Sequence, residues 1–304
     1  MELLTINQKT CNQDGICMAI CPAGIIEIKD GEYPKPISDA DELCIRCGHC
    51  VAICPTASLS HKDIPQESCT PIAKELRITH EQTVQFLRSR RSIRQYKDRP
   101  VDKAALKRLI DIARYAPSGH NLQPVEWLVL GDKTELKRLS GIVVDWMGWM
   151  LENNPALALS MHMDRTVARW DGGYDVILRD APAVIVAHAN KENRVAPAAC
   201  NIALTYLELA TTTMGLGACW AGYFNAAATS FTPMQEALAL PKDHQAFGSM
   251  MVGYSKYRYQ SMPSRKEPKI TWRVQKGEKT RREELYKNAR IHRSCLNTVA
   301  FYRG

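Results

Sequence analysis

The sequence predicts an α+β protein in which a small cysteine-rich head precedes a larger body. Three observations predict it. Seven of the eleven cysteines fall between residues 11 and 54. HKDIPQESCTPIAKEL, residues 61–76, carries two prolines and mixed charge and reads as a linker. Beyond it, helical spacing is interleaved with a few separated apolar runs, the pattern of helices packed on a sheet.

The chain of 304 residues is 45% apolar and 24% charged, which suits a globular protein with ample core. No membrane span is expected. The longest apolar run, APAVIVAHA at 181–189, is too short, and Asp145, Glu152, Asn153 and Asn154 interrupt the Trp- and Met-rich stretch 141–163. MELLTINQKT lacks the features of a secretory signal, so the expected location is cytoplasmic. Dense cysteine then reads as metal or redox chemistry rather than disulfides. Four basic residues face eight acidic ones in residues 1–60, whereas twelve face four in 265–304. A basic tail of this kind suits a solvated arm around a second copy, or an acidic protein partner. Nucleic acid is not expected, because no DNA-binding helix or zinc-finger pattern accompanies the charge.

The head repeats itself. A shift of 33 residues lays Cys11, Asp14, Gly15, Cys17, Cys21 and Pro22 on Cys44, Cys47, Gly48, Cys50, Cys54 and Pro55. The second run, CIRCGHCVAICP, is C-x2-C-x2-C-x3-C-P without departure. Three thiolates at that spacing wrap one cubane cluster and the fourth serves the neighbouring one. A zinc ribbon uses C-x2-C pairs but explains neither the proline nor the duplication. The head therefore resembles the bacterial-type two-cluster ferredoxins. The resemblance implies one 4Fe-4S cluster on Cys44, Cys47, Cys50 and Cys21. It implies a second on Cys11, Cys17 and Cys54 with Asp14 at the fourth corner. There, three readings stay open. Asp14 ligates iron through oxygen, or the corner is empty and the cluster is 3Fe-4S, or Asp14 is a turn residue before Gly15.

The body is read in chain order. Helical spacing covers Val84, Phe86 and Leu87, then Leu106, Leu109, Ile110 and Ala113. WLVLG at 127–131, AVIVAH at 183–188 and SMMVGY at 249–254 read as strands, and a helix is expected from about Pro197 to Met214. Three stretches carry chemistry. SRRSIRQY, 89–96, gathers guanidinium groups around the hydroxyl of Ser92, as a phosphate monoester requires. APSGHNLQPVEW, 116–127, is a loop offering backbone groups and the amides of Asn121 and Gln123 to a flat heterocycle. GLGACWAGYF, 215–224, is a glycine-rich exit from the long helix, where backbone can approach a ligand.

Together, over about residues 83–266, these stretches resemble the nitroreductase-family flavoproteins. The resemblance implies an α+β fold with a central sheet flanked by helices, FMN, and a homodimer with the flavin at its interface. It implies phosphate contacts from Arg90, Ser92, Arg94 and Arg265, beside which GYSKYRYQSMPSRK, 253–266, offers Lys266 as a further cation. Ser118, Gly119, Asn121 and Gln123 match the loop along the ribityl chain and ring, and Ala221 and Gly222 match the backbone at the reactive edge. Gly222 stands where some members carry Glu, and Val125 where an aromatic often follows. His120 is a candidate proton donor or else a loop-stabilising residue. Cys200 and Cys219 read as packing, and Cys69 and Cys295 carry no signal.

The expected organisation is a ferredoxin-like domain at 1–60, a linker at 61–79, and a flavin domain with a basic extension at 80–304. The expected activity is two-electron reduction of a small electrophile such as a nitroaromatic, a quinone or a conjugated alkene. A ferredoxin- or flavodoxin-like carrier would be the low-potential donor. The alternative is a relay passing electrons to a protein partner.

Overall fold

The computed structural model describes residues 2–29 and 31–273. Its contacts form two compact units, Met1–Met262 and Pro263–Gly304. The described part of the second unit, 263–273, has neither helix nor strand and is exposed, including Arg265 and Lys266. Cys295 and most of the basic tail lie outside the described residues.

In the first unit the head has its own core. Strand β1 (Leu4–Ile6) is followed by helix α1 (Ile16–Ile20), β2 (Ile26–Glu27), β3 (Lys35–Pro36), α2 (Ala40–Leu43), α3 (His49–Ile53) and β4 (Leu59–His61). β1 pairs antiparallel with β4, and β2 with β3. Leu4, Ile25, Ile26, Val51 and Leu59 close a small apolar core beside the cysteines. The sequence repeat is a structural repeat. α1 and α3 each begin after a glycine in the left-handed region, Gly15 at φ 71° and Gly48 at φ 70°. Each ends at an extended cysteine, Cys21 or Cys54. A side chain at either glycine would strain the turn that carries the ligands.

The body continues with α4 (His80–Ser89), α5 (Lys103–Ala113), β5 (Glu126–Leu130), α6 (Lys133–Asn153), α7 (Pro155–Ser160) and α8 (Met163–Asp171). It ends with β6 (Ala183–Asn190), α9 (Ala196–Thr213), β7 (Gly217–Trp220), α10 (Gly222–Ser230), α11 (Thr232–Leu238) and β8 (His244–Gly253). The four strands form one antiparallel sheet in the order β5-β6-β8-β7. Its faces bury different layers. Val184, Val186 and Met251 pack with Leu139, Met147 and Phe224, whereas Ile185, Ala187 and Met250 pack with Leu109, Leu204 and Leu207. β6 is buried on both sides, which is why it reads as an unbroken apolar run.

Helix α4 starts with a reciprocal cap. The Thr79 hydroxyl accepts from Gln82 N–H and Gln82 Oε1 accepts from Thr79 N–H. The three expected strands and the long helix are present. β7 is an additional strand, hidden in the glycine-rich stretch taken for a helix exit. The linker is partly ordered: His61 belongs to β4, and short 3-10 turns form at Gln66–Ser68 and Lys74–Leu76.

Candidate functional site

The head gathers its ligands as two groups. Cys11, Asp14, Cys17 and Cys54 line one small cavity with Ile6, Pro34 and Leu59. Asp14 Oδ1 accepts from Ile16 N–H at 3.1 Å, so the carboxylate also holds the start of α1. Cys21, Cys44 and Cys47 neighbour Cys50, whose thiol is pushed up to about 11 by burial, opposed by a backbone hydrogen bond at Val51 and aided to a lesser degree by these thiols. Burial likewise raises Cys17, with Asp14 and Cys11 adding to it. Crowded, half-buried thiols of this kind are costly to ionise without a cation, and an iron cluster supplies one. The donor sets therefore fit two clusters.

Peptide and imidazole N–H groups point at the sulfurs. Ser58 N–H lies 3.2 Å from Cys54 Sγ and Arg46 N–H 3.4 Å from Cys44 Sγ. Burial alone would raise the Cys54 thiol, but hydrogen bonds from Ser58 and Thr56 bring it below the usual range. His61 Nδ1 accepts from Asp63 N–H at 3.0 Å, which leaves Nε2 protonated, 3.5 Å from Cys44 Sγ.

In the body, SRRSIRQY runs along the sheet edge. Ile93 N–H donates to Ala218 O, and Tyr96 bridges to Ser255. Arg90 Nη1 donates to Ser92 Oγ at 3.4 Å and to the buried Glu208 at 2.8 Å. Among the described residues Arg91 Nε is a buried donor with no protein partner, as a neighbouring anion would require. Arg94 lines a cleft with Arg258, Ser255 and Tyr257. Nothing in the sequence singles out Arg258 within its run of Tyr and basic residues. Glu208 went unnoticed because a lone glutamate on an apolar helix announces no partner.

The loop at 116–125 is tightly wound. His120, Asn121 and Gln123 hold φ of 50°, 53° and 46°, the left-handed region that side chains seldom adopt. Such backbone concentrates at functional sites. Ser118 Oγ accepts from Gln123 N–H at 2.9 Å and closes the loop. A Cβ on Gly119 would meet Val195 Cγ1 at 2.8 Å, so the loop lies hard against the start of α9. His120 is exposed. Two placements differ from the expected flavin contacts. Asn121 Nδ2 donates to Arg46 O at 2.9 Å and Ile45 O at 3.4 Å, inside the CIRC turn of the head. Ala221 is buried and its N–H is taken by Ser249 O, whereas Gly222 is exposed with open space beside it. Trp146 and Met150 are core residues, and Trp149 is exposed. Cys200 and Cys219 are buried in the two cores, as expected of packing residues.

A cysteine-crowded head thus abuts a wound loop beside an antiparallel sheet. Residues 87–254 match the family model described as "Nitroreductase family", more than half of the chain, and residues 3–72 match that of the "4Fe-4S dicluster domain". The chain belongs to the nitroreductase family and is an oxidoreductase carrying a 4Fe-4S dicluster domain. A relative from Archaeoglobus fulgidus, provisionally named NADH dehydrogenase/NAD(P)H nitroreductase, is 26% identical over 58% of this chain and 87% of its own. A nitroreductase with bound FMN from Bacteroides fragilis superposes with a TM-score of 0.52 at 18% identity, over 64% of this chain and 99% of that one. A nitroreductase with bound FMN from Desulfitobacterium hafniense gives 0.52 at 20% identity, over 65% and 100%. These two likenesses establish the fold. Among the described residues no helix is long and apolar enough to cross a membrane.

Proposed function

We propose that the chain is an iron–sulfur flavoprotein reductase acting on a small electrophile, such as a nitroaromatic, a quinone or a conjugated alkene. When bound, the clusters supply electrons singly and FMN delivers them in pairs. Cys44, Cys47, Cys50 and Cys21 would hold one cluster, and Cys11, Cys17, Cys54 and Asp14 the other. Arg90, Ser92 and Arg94 would neutralise the flavin phosphate. Ser118, Gly119 and Gln123 would line the ring and ribityl chain, and Gly222 would leave room at the reactive edge. His120, exposed on the same loop, would hold the proton that completes reduction. A second copy of the chain would complete the flavin site. A ferredoxin- or flavodoxin-like carrier would feed the head.

The observation that carries this reading is the contact of Asn121 with Arg46 and Ile45. It joins the turn between two cluster ligands to the loop expected to hold the flavin, so the all-cysteine group is the one beside that loop.

The test uses full-length protein prepared without oxygen, with FMN, iron and sulfide quantified. The head is reduced by a low-potential donor, and cluster and flavin absorbance are followed separately by stopped flow. A nitroaromatic, a quinone and a conjugated alkene are then offered in turn. The expected result is flavin reduction following cluster reduction, then reoxidation of both with a two-electron product. Reduced clusters beside a persistently oxidised flavin would defeat the proposal.

A further inference from the structure

Three strands bring one polar cluster to a single rim of the sheet. Glu126 opens β5, His188 lies near the end of β6, and His244 opens β8. Glu126 pairs directly with His188, so both side chains share a face. The third member depends on an irregularity. Ala187 pairs with Gly248, but His188 pairs with Ala246, so β8 carries one extra residue there. Continued in regular register, His188 would share its face with Gln245, and His244 would point to the other side. The bulge reverses this and sets His244 diagonally beside His188.

The side chains then converge. The two Nδ1 atoms stand 3.0 Å apart, within hydrogen-bond distance, and Glu126 Oε1 approaches the other ring nitrogen of His244, Nε2, at 3.9 Å. One donor atom from each of the three residues falls within 4.8 Å of the others. Nitrogens bound to tetrahedral zinc at about 2.0–2.1 Å stand roughly 3.3 Å apart, so an ion would replace the proton shared by the two Nδ1 atoms with little movement of the rings. His188 is 5% exposed, whereas Glu126 is on the surface, so the cluster has a closed floor and an open side.

We infer that Glu126, His188 and His244 form a three-ligand site for a divalent transition metal, zinc by ligand type, with the fourth position open to water. Two imidazoles and a carboxylate are a recurrent zinc donor set. The ion would clamp β5, β6 and β8 together three residues after Gln123, and so anchor the base of the wound loop. The inference stands on the strand register and does not need the flavin reading.

The test uses full-length protein with its clusters loaded. It is treated with a chelator, equilibrated with zinc ion alone and desalted, and then metal is counted and the zinc-edge X-ray absorption spectrum recorded. The expected result is an additional zinc with a nitrogen/oxygen shell at about 2.0 Å. That zinc should be lost in His244→Gln and bound more weakly in Glu126→Gln, which keeps a weaker, neutral oxygen donor. Both substitutions lie outside the buried floor, and unchanged iron content and circular dichroism would confirm that the variants fold. No bound zinc would overturn the inference. So would a sulfur shell, which would place the metal on head cysteines, or a nitrogen/oxygen zinc that persists in His244→Gln.

Discussion

The ion pair that Arg90 forms and its proposed phosphate contact can be tested separately. Its guanidinium lies 2.8 Å from Glu208, with side-chain exposures of 25% and 8%. Arg90 is also one of the residues proposed to meet a flavin phosphate. Removing one partner of a buried pair typically costs about 3–5 kcal/mol, because the remaining charge is stranded. Arg90 is partly exposed, so Arg90→Ala should fall at the lower end, about 3 kcal/mol. For a body of this size that is a drop in Tm of roughly 6–12 °C. The double variant Arg90→Met with Glu208→Leu removes both charges, and its Tm in flavin-stripped full-length protein should return close to wild type. FMN affinity should not return. A charge-assisted hydrogen bond contributes about 1.5–3 kcal/mol, so both variants should bind FMN roughly ten- to a hundredfold more weakly by fluorescence titration. An unchanged Tm in Arg90→Ala would refute the buried-pair argument. Recovery of FMN affinity in the double variant would refute the phosphate role.

Four further predictions follow from single contacts. Asp14→Cys should give two four-iron clusters with matched iron and sulfide, whereas Asp14→Ala should give a three-iron signal in oxidised protein by electron paramagnetic resonance; identical spectra from the two variants would remove Asp14 from the ligand set. Asn121→Ala should slow electron transfer from head to flavin in stopped flow at constant iron and FMN content, and cost about 1 kcal/mol of stability; an unaltered rate would mean that the contact only holds the head in place. Gly119→Ala should weaken FMN binding by pressing on Val195, and Val195→Ala should restore it, since the added Cβ then has room. Burial pushes the Cys200 thiol up to about 12 from 9.0. Above pH 9 the unfolded chain loses a proton that the folded chain keeps, so stability falls as pH rises, by about 1.4 kcal/mol per unit up to about pH 12. Cys200→Ala should lack that component, and denaturant melts at pH 8 and pH 10 would read the difference; equal slopes in wild type and variant would exclude Cys200.

What could be read in advance divides by the range of the interactions. The head was legible because cluster ligands follow one another along the chain at fixed spacing, and a 33-residue repeat doubles the signal. β6 was legible because a strand buried on both faces is written as one apolar run. β7 was not, since Gly217, Ala218 and Cys219 carry little β preference and pair only because β8 offers an open edge. The Trp- and Met-rich stretch within 133–153 resisted reading for the opposite reason. Apolar and charged residues alternate there without a clean pattern, yet α6 turns Trp146, Met147 and Met150 into the core. The partners that matter most are farther apart still. Glu208 is 118 residues from Arg90, and His244 is 56 from His188. The histidine pair illustrates the limit well. Each histidine can be seen in the sequence, but a one-residue slip decides whether the two share a face or oppose across the sheet. That slip is set by how β8 packs on both cores, so a site of this kind becomes visible only once the strands are in register.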